Sequence, residues 1–214
     1  MQLARGESSE SRFEFVNAGG AKLAISLYYN RRFRRSKASN PDWNGSYTSA
    51  FDPDFSISAS PSAGGVSHWL HFDAKYRLER QEVEGLFEAN SEAVEGHEGA
   101  TSYKTELSRV HKQDDLFKMH TYRDGILGSR GAYILFPGDG FGGRTEEPGR
   151  NFFVRHPTAL NGSSMHRIPS VGAFSLAPTG SFMQRSTIQE LLLATFEAVA
   201  SGKEYKEEQG YFTV

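Results

Sequence analysis

The sequence predicts an α/β domain in which helices flank a central mixed sheet. Three observations carry that prediction. Strand-length runs with two-residue alternation recur at 21–29, 54–59 and 69–76. A helix-period segment at 112–127 leads into a run at 130–137 that is apolar on both faces, the pattern of an inner strand in a covered sheet. A second helix, with a broad apolar face from Leu191 to Val199, lies near the end of the chain.

In chain order, residues 1–12 are polar and rich in Glu and Ser, and are expected to form a flexible leading segment. The domain proper is expected over 13–205, with 206–214 as a C-terminal tail. The strand at 21–29 should turn Leu23, Ile25 and Leu27 to the core. A basic run follows, Arg31, Arg32, Phe33, Arg34, Arg35, Ser36, Lys37. Guanidinium groups with an interleaved aromatic suit phosphate contact and base stacking, whereas the same composition also suits a solvated, mobile loop. A turn cluster at 40–45 leads to an expected strand at 47–51.

From Asp54 the residues alternate, with Phe55, Ile57 and Ala59 on one face and Asp54, Ser56 and Ser58 on the other. Pro53 stands at the strand start, where a missing N–H is tolerated. After a Pro/Gly turn at 61–65, Leu70, Phe72, Ala74 and Tyr76 point one way and Trp69, His71, Asp73 and Lys75 the other. Residues 78–100 are rich in Glu and read as an exposed acidic insertion. In the 112–127 helix, Leu116, Met119 and Ile126 lie near one side, while Asp114, Lys118 and Tyr122 recur at four-residue steps on another. The glycine-rich 138–143 imitates a dinucleotide fingerprint, but no apolar-periodic helix follows it. Residues 144–166 look irregular apart from a short apolar piece at 152–154. A last strand is expected at 168–177, then a helix with a capping box at Thr187 and Glu190 that Gly202 terminates.

Composition removes several classes of function. The chain has 214 residues, a formal net charge of −2 and no Cys. A disulfide framework, a thiolate metal site and a thiol hydrolase are therefore excluded. No apolar run reaches membrane-spanning length and no signal-peptide core opens the chain, so a soluble, cytoplasmic protein is expected.

If the strands at 54–59 and 69–76 pair as a hairpin, their polar faces bring Asp54 and Asp73 together with Lys75 beside them. Neighbouring carboxylates require a cation between them, and hard oxygen donors favour Mg2+ or Mn2+. Such a group is equipped for phosphodiester hydrolysis. Asp52 has the same parity as Asp54 and competes with it. His71 shares the face of Asp73 and Lys75, where it could meet substrate or lie as a surface imidazole. His68 falls on the opposite face from His71, so the two do not make a joint metal site.

Pro53-Asp54 followed by Asp73-Ala74-Lys75 resembles the signature of the PD-(D/E)XK nuclease superfamily. Within it, the runs 72–77, 115–124 and 133–138 are similar to nucleases of bacterial restriction and phage-defence loci, among them the nuclease subunit of the McrBC restriction system. The resemblance implies a restriction-endonuclease-like three-layer α/β/α fold and Mg2+-dependent hydrolysis of DNA. It places the first ligand directly after Pro, which favours Asp54 over Asp52. It also implies metal binding by Asp54, Asp73 and the Ala74 carbonyl, water activation by Lys75, and a position for Lys118 or Tyr122 at the site periphery. DNA contact would fall to Arg31, Arg32, Arg34, Arg35 and Lys37. A nucleotide-driven motor on another chain or domain, and a homodimer, are the implied partners. Related nucleases often carry an acidic residue on a helix before the first strand. That helix is missing here, and Glu7, Glu10 and Glu14 are the only nearby acids. The alternatives are a nuclease-like module that binds without cutting, and an assembly subunit whose 31–37 loop docks an acidic partner.

Overall fold

The computed structural model describes residues 8–37, 44–75, 114–136, 152–154, 169–175 and 182–202. The acidic insertion, the glycine-rich 138–143 segment, Glu7 and the C-terminal tail lie outside the described residues.

Alternating sequence becomes an antiparallel meander. β1 (Ser9–Val16), β2 (Lys22–Tyr29), β3 (Phe55–Pro61) and β4 (His68–Ala74) pair in succession. β5 (Ser129–Phe136) then adds to β4 in parallel, and β7 (Ser170–Ser175) adds to β5 in parallel. β6 (Phe152–Val154) runs antiparallel to β7 at the far edge. The sheet is thus mixed, in the order β1-β2-β3-β4-β5-β7-β6.

The two faces are covered by different elements, which gives three layers. Helix α1 (114–125) and residues 30–37 and 44–51 cover one face. Met119 and Tyr122 pack there with Phe33, Trp69, Ala132, Ile134 and Val171. Helix α2 (Phe182–Ala200) covers the other, where Leu191 meets Leu70, Phe72, Tyr133 and Phe174, and Val199 meets Leu23, Ile25 and Ala59. A parallel pair such as β4 and β5 requires a crossover, and α1 lies within it. Both faces of β4 and β5 are consequently buried, as the apolar run in β5 predicts.

Several expectations are corrected. The sheet begins at Ser9, inside the segment expected to be flexible, because residues 9–16 find a full antiparallel partner in β2. The expected strand at 47–51 is not formed: Phe51 makes an isolated bridge with Phe33, Tyr47 donates its N–H to the Gly125 carbonyl at 3.2 Å, and the preceding Ser46 bridges Arg35 and Ile126. Leu27 takes the core-facing parity but is 37% exposed, since Ser11, its neighbour on β1, does not cover it. The polar face of β3 is not solvated, because Ser56 and Ser58 are buried. Thr187 lies inside α2 rather than at its cap, as that helix starts at Phe182. Its other end behaves as predicted. Gly202 adopts φ 61°, the left-handed conformation that terminates helices, and donates its N–H to the Val199 carbonyl at 3.2 Å.

Gly131 shows how tightly β5 is packed. A Cβ there would lie 2.7 Å from ring carbons of Tyr133, whose hydroxyl is bonded to the Ser170 hydroxyl at 2.8 Å in a fully buried site. Because the ring has no space to retreat into, Gly131→Ala should destabilise the fold by about 1–3 kcal/mol, the usual cost of overpacking. Urea unfolding checks this, and an unchanged midpoint would contradict it.

Candidate active site

The candidate site lies where β3 begins and β4 ends, which the antiparallel register brings together. Phe55 pairs with Phe72, so Asp54 stands beside the Asp73-Ala74-Lys75 end of β4. The Asp54 carboxylate accepts the Ala74 N–H at 2.7 Å. Its main chain is fixed as well, for the Asp54 carbonyl accepts the Asn30 N–H at 2.9 Å. Asn30 holds φ 51°, a left-handed conformation that Asn tolerates better than most residues. Asp52, the competing acid, turns elsewhere and lies 3.7 Å from the Arg32 guanidinium at the surface.

Asp73 is 3% exposed, and a carboxylate so placed needs cations around it. Two ammonium groups supply them, Lys118 at 2.6 Å on one oxygen and Lys75 at 3.1 Å on the other. Lys75 is shared, for its ammonium also reaches Asp115 at 2.8 Å. Its main-chain N–H is held by the Leu135 carbonyl of β5 at 2.7 Å. Partial burial draws the Lys75 pKa down, but the bonds to Asp115 and Asp73 outweigh it and the net shift is upward. Lys118 is displaced in the same direction by the same balance, with Asp73 as its partner.

The structure therefore brings together Asp54, Asp73, Ala74, Lys75 and Lys118. Tyr122 lies beside them, with the Lys118 ammonium 5.4 Å from its ring centre and its hydroxyl 3.3 Å from the Asp52 carbonyl, to which it donates. Burial raises its pKa. The polar stripe of α1 differs from the expected one. Asp115, rather than Asp114, joins Lys118 and Tyr122. Spacing at i, i+3 and i+7 is the tighter helical stripe, and that signal was present in the sequence.

His71 is not a surface imidazole. It is fully buried, pairs through Nδ1 with the Ser56 hydroxyl at 3.0 Å, and packs between the rings of Trp69 and Phe33. Burial, assisted by the nearby Arg31 charge, lowers its pKa to about 3. The basic run is also ordered differently from a free loop. Phe33 is buried in the core, which removes it from base stacking, and Arg31 lies over Tyr28, at 4.5 Å, and Trp69, at 4.8 Å. Arg32, Arg34, Arg35 and Lys37 are exposed. Arg31, Arg32 and Arg34 line a cleft of about 650 Å³ with Tyr28, Asn30 and Asp52. Glu10 and Glu14 are occupied on β1, paired with Arg12 at 2.8 Å and Lys22 at 3.0 Å.

Asp54 and Asp73 are the acids that would offer hard oxygen donors to a cation, in competition with the two ammonium groups on Asp73. Among the described residues, no group of three or more His, Cys, Asp or Glu side chains is arranged to hold a metal ion. Two carboxylates fit an ion that keeps several of its own waters, as Mg2+ does.

A mixed sheet between helical layers, with paired acids and a lysine at the junction of adjacent strands, is the arrangement of a restriction-endonuclease-like fold. A family model of the PD-(D/E)XK nuclease superfamily matches residues 1–140, more than half of the sequence, and the chain belongs to that superfamily. No curated protein and no solved structure matches it. Among the described residues, no helix is long and apolar enough to cross a membrane.

Neutral burial of His71 has a consequence for stability. Its folded pKa lies below the ordinary 6.5, so below that pH the unfolded chain binds the proton that the folded chain refuses. This group's contribution is complete above pH 6.5 and is lost on acidification, at up to about 1.4 kcal/mol per pH unit, until the folded pKa is reached. Urea midpoints at pH 7.5 and 5.0 should differ accordingly, with a smaller difference in His71→Leu. Equal slopes in the two proteins would show that His71 is not the group responsible.

Proposed function

We propose that this member of a nuclease superfamily hydrolyses DNA phosphodiester bonds with Mg2+ or Mn2+. One observation supports the reading above all: the Asp54 carboxylate accepts the N–H of Ala74, the residue between Asp73 and Lys75, and Lys75 pairs with Asp73. Asp54, Asp73 and the Ala74 carbonyl would hold the ion, which when bound supplies Lewis acidity toward a phosphate oxygen and toward water. The protein's own groups do the remaining work. Lys75 orients the attacking water and offsets negative charge as the phosphorus–oxygen bond to the leaving group breaks. Lys118, paired with Asp73 at 2.6 Å, would add a second positive charge beside it. The exposed Arg32, Arg34, Arg35 and Lys37 are suited to backbone phosphates. Arg31, stacked on aromatic rings, holds their base in place.

The narrower assignment, a restriction or phage-defence nuclease related to that of the McrBC system and served by a motor on another chain or domain, rests on the three sequence runs noted above. Cytoplasmic residence and action as a homodimer belong to the same proposal. The exposed side-chain set also supports binding without cleavage, and metal dependence separates the two readings.

Supercoiled plasmid and a single-stranded oligonucleotide should be cut with Mg2+ or Mn2+ and left intact with EDTA. Asp54→Ala, Asp73→Ala and Lys75→Ala should each reduce cutting by at least about 100-fold, while leaving much of the DNA affinity. Tight binding by a wild type that never cuts would favour the non-cleaving module. In a binding assay, replacing both Arg34 and Arg35 with Ala should flatten the dependence of log K on log salt by about 1 per lost phosphate contact. An unaltered slope would remove these residues from the DNA path.

A further inference from the structure

We propose that Asp115 is a positioning residue for the reaction, one that holds the Lys75 ammonium at its working place. The inference rests on the nuclease reading above and deepens it. Asp73 and Lys75 stand two residues apart on one face at the end of β4, and Asp115 and Lys118 stand three apart on the facing turn of α1. Opposite charges meet in both pairs, Lys118 with Asp73 at 2.6 Å and Lys75 with Asp115 at 2.8 Å. A third contact, Lys75 with Asp73 at 3.1 Å, ties them into one alternating chain of charge.

The geometry gives the two acids different tasks. Asp73 is nearly sealed from solvent and also belongs to the proposed ligand set, so its charge has other demands on it. Asp115 is not in that set, and it is the nearer partner of Lys75. Without it, a long side chain with several rotatable bonds would be anchored by Asp73 alone, and would spread over several rotamers. A group that must meet an attacking water in one orientation loses rate when that orientation becomes a minor state. Removing such a supporting partner typically costs 10- to 100-fold.

The variants are Asp115→Asn, which keeps size but loses charge, and Asp115→Glu, which keeps charge at a longer reach. Asp115→Asn should lower kcat by about 10- to 100-fold with KM for DNA nearly unchanged, and Asp115→Glu should recover part of the loss. Adding Asp115→Asn to Lys75→Ala should cost little more, because the partner it positions is already gone. A second readout needs no cleavage. In a short pulse of acetic anhydride on the full chain, Lys75 should be acetylated faster in Asp115→Asn than in wild type, as followed by peptide mass spectrometry, with Lys22 as the internal standard.

Unchanged labelling of Lys75 would overturn the positioning role. So would a loss of activity that appears wholly in KM, or one that adds in full to that of Lys75→Ala. A wild type that does not cut DNA would instead defeat the nuclease reading, and labelling would still decide whether Asp115 holds Lys75. If Asp115→Asn does not fold, Asp115→Glu carries both measurements, with smaller changes of the same sign.

Discussion

The burial of the Asp73 carboxylate is the constraint on which the rest of the site depends. A charge removed from water is tolerated only with close partners, and taking away one partner of a buried pair costs about 3–5 kcal/mol. The strand supplies only one cation on that face, since position 71, the other neighbour of Asp73, is a buried neutral His. Lys75 comes from the strand itself and Lys118 from α1, so the ionic requirement fixes where the helix sits over the sheet. The apolar contacts of Met119 and Tyr122 with Trp69 and Ile134 would tolerate some sliding. The ion pairs would not, because a shift of one residue along the helix would carry Lys118 to another side.

A second constraint acts through Phe33. Its side chain is buried against Trp69 and His71, and the main chain is bridged to Phe51 at Phe33 itself and to Ser46 at Arg35. The arginines around it are therefore presented on an anchored segment, with Arg31 turned inward over Tyr28 and Arg34 outward. Net charge gives no sign of this arrangement. A chain at −2 carries its positive surface locally, beside the acids that would repel a nucleic-acid strand if they stood alone.

Much of this was legible in the residues, and the failures have physical causes. The alternation from Asp54 to Ala59 and from Trp69 to Lys75 carried the expected hairpin, and its pairing sets Asp54 beside the Asp73-Ala74-Lys75 end of β4. The doubly apolar pattern of residues 130–137 marked β5 as an inner strand. Alternation does not report what lies above a sheet, however. Ser56 and His71 looked solvated because they are polar, yet Phe33 and Tyr122 pack against His71, and the two polar groups answer burial by bonding to each other. Asp115 was overlooked in favour of Asp114 because a four-residue step was followed where the helical stripe runs three and then four. The strand at Ser9–Val16 was missed since its polar residues make surface ion pairs, and its order comes from pairing with β2 rather than from apolar content.

The contact between Lys75 and Asp115 also closes a loop in the chain. Residues 76–114 leave and return at two side chains only 2.8 Å apart. The entropic cost of closing a loop grows only logarithmically, by about 0.6 kcal/mol for each doubling of its length. The sequence between Lys75 and Asp115 can therefore change in length at small thermodynamic expense, provided the two ends still meet.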